Sequence, residues 1–126
     1  MSLILDAGAL VAIERGDALT VALIKVELAA HRAPLTHGGV IGQVWRGGGG
    51  RQARLAKLMA AIEISPLDEA LGLRAGMLLA RARKADVVDA AVVLLAADGD
   101  SILTSDPDDL EHLAIAAGLH VDIIAV

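Results

Sequence analysis

The sequence predicts a single α/β domain, residues 1–126, built as a three-layer αβα sandwich around a central parallel sheet. Short apolar runs suited to buried strands alternate along the chain with segments of helical period. Such alternation is typical of a parallel sheet covered by helices on both faces. The length of 126 residues fits one domain, and 56% hydrophobic residues provide enough core. That core must be aliphatic, because the chain has no Phe, no Tyr and one Trp.

Each element is predicted from local pattern. The predicted strands are 2–6, 34–36, 62–64, 102–104 and 121–124, and the predicted helices are 8–15, 18–32, 38–46, 51–61, 68–83, 86–97 and 107–117. The Gly47–Gly50 run predicts a flexible break. Helix 86–97 is apolar nearly all round, which predicts burial. Helix 18–32 is predicted from its helical period, which places Leu19, Ala22, Leu23, Val26, Ala29 and Ala30 on one face.

Composition excludes several classes of protein. The absence of Cys rules out disulfides, zinc–thiolate sites and thiol catalysis, and it suits a cytoplasmic protein. No leader and no apolar run of about 18 residues is present, so neither a signal peptide nor a membrane span is expected. Residues 46–84 hold eight Lys or Arg and three acids, whereas residues 85–126 hold nine acids and no Lys or Arg. This distribution favours a protein that grips a polyanion with one surface and holds cations with another.

Four carboxylates form the candidate site. Asp6 follows the first predicted strand, Asp106 follows the fourth, and Asp86 and Asp89 open the apolar helix. Parallel sheets gather ligands at the carboxyl ends of their strands, and residues three apart share a helix face. Each acid also has an ordinary interpretation as a helix cap or first-turn acid. That interpretation is strong for Asp106, because Pro107 follows it.

Clustered carboxylates cannot all remain ionised without a cation, and sites made of oxygen ligands favour Mg²⁺ or Mn²⁺. Such ions activate water and neutralise the charge that develops during phosphodiester cleavage. Residues 104–110, TSDPDDL, have no obvious positive partner nearby in the sequence. The acids therefore point to a divalent-cation site with a role in phosphate chemistry.

Three motifs resemble the signature of PIN domains, the fold of VapC-type toxin ribonucleases. They are ILDAGAL at 4–10, DVVDAAVVLLAA at 86–97 and LTSDPDDL at 103–110, and GQVWRGGGGRQARL at 42–55 resembles a subgroup of small prokaryotic PIN proteins. The resemblance implies Mg²⁺- or Mn²⁺-dependent RNA hydrolysis, a homodimer and a VapB-like antitoxin partner. It implies that Asp6, Asp89 and Asp106 are catalytic metal ligands. Asp86 would be a further ligand, Asp109 a supporting acid, and Asp108 a solvated residue.

One departure from the PIN pattern concerns Gln43. The family usually carries a Glu on the short helix after the second strand, and Gln43 occupies the corresponding position. Glutamine offers a carbonyl oxygen but no charge, so we expect a weak ligand or a contact to a metal-bound water. The alternative is a catalytically weak or inactive PIN module that binds RNA or a partner protein.

Other residues carry weaker expectations. Arg46, Arg51 and Arg54 are predicted to bind the RNA backbone, although they fit a solvated helix face equally well. Trp45 is expected to be a core or interface anchor, and the four histidines are expected at the surface. The helices at 8–15 and 18–32, with the short helix carrying Trp45, should leave an apolar groove near the acids. An antitoxin helix would fill it and place an Arg among the carboxylates.

Overall fold

A computed structural model describes all 126 residues and shows a five-stranded parallel sheet. The strands lie in the order β3-β2-β1-β4-β5, and every neighbouring pair is parallel. Their bounds are β1 Leu3–Leu5, β2 Leu35–His37, β3 Glu63–Ser65, β4 Ser101–Thr104 and β5 Asp122–Ala125. All five strands fall where the sequence predicts them, within one or two residues.

Seven helices cover the sheet. They are α1 Ala7–Glu14, α2 Ala18–Ala29, α3 Gly38–Val44, α4 Ala53–Met59, α5 Glu69–Ala82, α6 Val87–Leu94 and α7 Pro107–Ala116. Helix α1 packs against α2, α3 and α4, whereas α5, α6 and α7 pack against one another. Right-handed crossovers put the first group on one face and the second group on the other. The predicted three-layer sandwich is confirmed. None of these helices has the length and apolar character needed to cross a bilayer.

The chain reverses its direction of winding between β1 and β4. After β1 it continues to β2 on one side of the sheet, and after β4 it continues to β5 on the other side. The two strands are neighbours, with Leu5 opposite Leu103. Residues that directly follow them therefore face the crevice at the topological switch point, where open α/β sheets bind their ligands.

The core is aliphatic, as predicted. Strand β1 is fully buried, and the central residues of α6, Ala90–Val93, have no exposed surface. The buried helix predicted at 86–97 is therefore confirmed, with a shorter helical span. A strand buried on both faces explains why Leu3–Leu5 reads as a continuous apolar run rather than an alternating one.

The apolar face of α2 that contains Leu19 and Val26 is not the face that packs against the core. Leu19 is 66% exposed and Val26 is 61% exposed, whereas Thr20 and Ile24 are buried. Asp17 caps the helix by accepting hydrogen bonds from the amide and the hydroxyl of Thr20, which fixes Thr20 on the inner side. Ile24 follows one turn later on the same side. Apolar residues occur all round this helix, so helical period alone did not define a unique face.

The glycine run forms a loop that a buried glutamine holds in place. Gly47–Gly50 all have positive φ values, which glycine adopts without a steric penalty. The Gln52 carbonyl oxygen accepts hydrogen bonds from the amides of Arg46 and Gly47, and its amide donates to the carbonyl of Val44. The predicted break between two helices is confirmed, and Gln52 joins its two ends.

We expect Gly8→Ala to destabilise the protein, because the first turn of α1 approaches Ser105 closely. A Cβ at Gly8 would lie 2.9 Å from the Ser105 backbone nitrogen, which is too close for real contacts. Overpacking of this kind costs about 1–3 kcal/mol. Gly76→Ala in α5 is the control, because nothing lies within 4 Å of its Cβ position and alanine favours helix. In urea denaturation, the free energy of unfolding should fall in Gly8→Ala and rise in Gly76→Ala. Equal stabilities of the two variants would contradict the prediction.

Candidate active site

Asp6 is held at the switch point from two sides. It is 4% exposed, and one carboxylate oxygen caps α1 by accepting a hydrogen bond from the Ala9 amide at 2.9 Å. The other oxygen accepts from the Thr104 hydroxyl at 2.5 Å. Burial raises the pKa of the Asp6 carboxyl, and these hydrogen bonds oppose the rise. The side chain is thus fixed in direction by its own helix and by the neighbouring strand.

Thr104 links the first acid to the last. Its hydroxyl donates to Asp6 and accepts a hydrogen bond from the Asp106 amide at 2.8 Å. The residue is fully buried at the end of β4. Sequence reasoning did not assign it a role, although a hydroxyl closing the apolar run Ile102–Leu103 was the available signal. Thr104 sets the position of Asp106 relative to Asp6.

Asp86 and Asp89 lie together at the start of α6. An oxygen of Asp86 caps the helix, accepting from the amides of Val88 and Asp89 at 3.0 and 3.1 Å. Burial raises the pKa of the half-buried Asp89 to about 6, and repulsion from Asp86, Asp6 and Asp106 adds to the rise. Asp89 therefore feels the charges of all the other predicted ligands.

Asp106 occupies the cap position of α7, but its side chain makes no capping hydrogen bond. The predicted side-chain cap is therefore wrong: the backbone at Asp106 bonds to Thr104 instead, and the side chain interacts with Asp109. Partial loss of hydration, the hydrogen bond with Asp109 and repulsion by neighbouring acids raise the pKa of Asp106. Asp106 forms no ion pair of its own, although its charge also acts on the Lys84 ammonium, which pairs with Asp109.

Asp109 has the positive partner that residues 104–110 seemed to lack. The Lys84 ammonium lies 2.9 Å from its carboxylate, and the hydrogen bond with Lys84 lowers the pKa of Asp109. Lys84 directly follows the left-handed C-cap residue Arg83 of α5. The sheet topology brings this cation to α7 from 25 positions away in the sequence. Asp109 is thus a paired surface acid next to the site.

The donor set fits a hard divalent cation, although no metal cage is preformed. Asp6, Asp86, Asp89 and Asp106 offer only carboxylate oxygens, the ligands that Mg²⁺ and Mn²⁺ prefer. Loss of hydration, together with repulsion from neighbouring acids, raises the pKa values of Asp89 and Asp106, and a cation would offset the repulsive part. No group of three acidic or histidine side chains is spaced to hold a metal ion in this arrangement. Metal binding stays a prediction.

Gln43 and the three arginines lie in different places. Gln43 is exposed near the end of α3, the helix that starts at the carboxyl end of β2. Arg46 and Arg51 belong to the glycine loop, and Arg46 bonds back to the carbonyls of Gly42 and Trp45. Arg54 instead donates to the Glu14 carbonyl at the end of α1. The structure does not group Arg54 with the two loop arginines, and RNA binding by any of them stays a prediction.

Trp45 lies near the surface, whereas His37 lies in the core. Trp45 is 37% exposed and lines a shallow hollow of 160 Å³ with the glycine loop, so it is not a core residue. His37 is fully buried, which makes the predicted surface location wrong for this histidine. The other three histidines, His31, His112 and His120, are exposed as expected.

An apolar groove of 560 Å³ lies on the α1–α4 face of the protein. Its apolar lining includes Ile13, Val21, Ile24, Leu28 and Leu58, and its charged lining residues are Lys25, Arg54 and Lys57. None of the predicted metal ligands and no part of α3 contributes to it. The groove predicted beside the acids is not this one, which lies at the end of α1 marked by Ile13, whereas Asp6 precedes the start of that helix. A second hollow of 630 Å³, lined by Ala7, Gly8 and Ser105 among others, lies next to Asp6 and Asp106 in the sequence.

Comparison with known proteins shows the fold. No family model matches the sequence, and no curated protein matches it. The structure is similar to a chain in the crystal structure of VapBC2 from Rickettsia felis bound to a DNA fragment from their promoter. The TM-score is 0.71 at 13% sequence identity, and the match covers 98% of each chain. The predicted PIN-like fold is confirmed over the whole chain.

The raised pKa of Asp89 predicts a pH-dependent stability of the metal-free protein. The folded state holds the Asp89 proton more tightly than the unfolded state, so stability falls as pH rises from about 4 to 6. Asp89→Asn removes the ionisation. Its advantage over the wild type should grow by about 1–2 kcal/mol between pH 4 and 7.5, discounted for solvent screening of a half-buried group.

Urea denaturation in the presence of a chelator at several pH values measures this difference. The exposed Asp108→Asn is the matched control, because it removes one charge from the same acidic stretch, residues 85–126, at the protein surface. A constant difference between wild type and Asp89→Asn across this pH range would contradict the assignment.

Proposed function

We propose that the protein is a divalent-metal-dependent endoribonuclease that hydrolyses RNA phosphodiester bonds. The observation that carries the proposal is the hydrogen-bonded unit of Asp6, Thr104 and Asp106 at the switch point, with Asp89 within its electrostatic field. Asp6 and Asp106 follow the two strands at the switch point, where this fold gathers ligands, and their charges act on Asp89.

Asp6, Asp89 and Asp106, with Asp86 beside them, would hold Mg²⁺ or Mn²⁺. A bound cation would supply positive charge against the developing charge on the phosphate and would acidify water for attack. The chain's own contribution is orientation and charge. Thr104 and the Ala9 amide orient Asp6. Asp89 retains a proton below about pH 6, which competes with cation binding, and releases it above that pH.

Cleavage of a pool of short single-stranded RNAs in Mn²⁺ or Mg²⁺ tests the activity. We expect wild-type cleavage to stop with a chelator and to fall about a hundredfold or more in Asp6→Asn, because a metal-site charge contributes several kcal/mol to such chemistry. Asp108→Asn should cleave like the wild type. Cleavage that survives both the chelator and Asp6→Asn would remove the proposal, since it would come from another source.

The presence of Gln43 leads to a further prediction about metal affinity. Its amide brings no negative charge, so the site should need high Mg²⁺ or prefer Mn²⁺. Gln43→Glu should tighten Mn²⁺ binding by about ten- to a hundredfold, the equivalent of 1–3 kcal/mol for a charge-assisted contact. Calorimetric titration of both proteins measures this. Identical titration curves would place residue 43 outside the metal site, and a wild type that binds Mn²⁺ but cuts no RNA would favour a binding module.

We further propose that the chain is the toxin of a type II toxin–antitoxin pair. The likeness to a VapBC2 chain supports this role, and the apolar groove supplies a place for the antitoxin. The rim of the groove is basic, with Lys25, Arg54 and Lys57 and no acid. It fits an amphipathic helix whose apolar face is flanked by carboxylates. The resemblance to PIN domains also leads us to propose that the protein forms a homodimer.

Co-expression with the small protein encoded beside this gene should give a stable complex. Val21→Asp puts a charge into the half-buried groove wall and should weaken that complex at least about tenfold. Leu73→Asp on α5 is the matched control, because Leu73 is 65% exposed and lies outside the groove. Calorimetry at micromolar concentration measures both. Unchanged affinity in Val21→Asp would exclude the groove, and no complex at moderate salt would count against the toxin role.

A further inference from the structure

His37 is the only fully buried residue with an ionisable side chain. It ends β2 and occupies the N-cap position of α3. Its Nδ1 accepts a hydrogen bond from the Gly39 amide at 3.0 Å, and its Nε2 lies 2.9 Å from the Val88 carbonyl oxygen. Both ring nitrogens therefore have partners, and these partners belong to two different helices.

The two contacts define the state of the ring. Nδ1 must be unprotonated, because it accepts from an N–H group, so the single proton of a neutral ring is on Nε2. That proton is donated to the Val88 carbonyl. Burial lowers the pKa of the His37 imidazole, and the bond to Val88 opposes the change, which is consistent with a neutral ring.

The contact between His37 and Val88 matters because of where Val88 lies. Val88 precedes Asp89 in the first turn of α6, and its own amide is capped by Asp86. The imidazole thus ties the start of the helix that carries Asp89 to the end of β2, whereas β1 and β4 carry Asp6 and Asp106. The short helix α3, with Gln43, begins at the same ring.

We propose that His37 is a positioning residue, which fixes the first turn of α6 relative to the sheet and thereby places Asp89 opposite Asp6 and Asp106. The functional part of this inference rests on the proposed nuclease site. Groups that orient metal ligands from behind commonly alter metal affinity by about ten- to a hundredfold when they are replaced. A simple cap of α3 would affect the stability of α3 and nothing at Asp89.

Two substitutions separate the contacts. In His37→Asn the side-chain oxygen can replace Nδ1 as the acceptor for Gly39, but the side chain is too short to reach Val88. In His37→Gln the side-chain NH₂ can replace Nε2 as the donor to Val88, and the cap at Gly39 is lost. Both replacements are uncharged and polar, so burial of a polar group is common to the two variants.

Amide hydrogen exchange of the metal-free protein is the first measurement. We expect His37→Asn to speed exchange in the first turn of α6 about tenfold relative to His37→Gln, and His37→Gln to speed exchange in α3 instead. Mn²⁺ titration is the second measurement, with affinity about tenfold lower in His37→Asn than in His37→Gln. RNA cleavage at limiting Mn²⁺ should follow the same order.

Equal exchange of α6 in the two variants would overturn the proposal, as would faster exchange in His37→Gln. If one variant does not fold at 25 °C, both variants are measured at a lower temperature. If His37→Gln alone still does not fold there, His37 acts only as the cap of α3, and the proposal is overturned. The exchange result decides the role of His37 even when no RNA is cut. Absent cleavage with the expected exchange pattern would count against the nuclease function alone.

Discussion

The hydrogen bond from the Thr104 hydroxyl to the Asp6 carboxylate is the contact on which the candidate site depends. It spans two neighbouring parallel strands whose following helices leave on opposite faces of the sheet. The same hydroxyl oxygen receives the amide of Asp106, so one buried group fixes both strand-end acids. Loss of such a group leaves buried polar atoms without partners, which is costly in an apolar interior. The hydrogen bonds that stabilise the fold at the switch point therefore also fix the positions of Asp6 and Asp106.

The carboxylates around this contact fall into two groups, those with a compensating partner and those without one. Asp109 is paired with Lys84, and Asp17 and Asp86 accept hydrogen bonds from the backbone amides at helix N-termini. Asp89 and Asp106 form no ion pair of their own and cap no helix with a side-chain hydrogen bond, and the pKa values of both are raised. A fold that offsets the peripheral acids but leaves the central ones repelling one another carries a destabilising term in the metal-free state. A cation that binds only the folded protein would remove that term and stabilise the fold by mass action.

Much of the fold could be predicted because the chain is locally consistent. Apolar runs, cap residues such as Asp68 and the turn glycines all indicate the same elements, and the winding rule for parallel strands then brings Asp6 and Asp106 to one crevice. The orientation of α2 could not be predicted, since apolar residues surround it and the decision fell to the Asp17 cap. The Lys84 pairing and the burial of His37 depend on contacts across 25 and 51 positions, which local patterns do not encode.

The position of the groove also has consequences for how a partner could control the site. Helix α1 connects the two, because Asp6 precedes its first turn and Ile13 near its other end lines the groove. The helix is only eight residues long, about 12 Å, and Gly8 lets its first turn contact Ser105 closely. The groove and Asp6 thus lie at opposite ends of one short helix. A partner bound at the far end of α1 would therefore leave the carboxylates uncovered, in contrast to an inhibitor that inserts a cation among them.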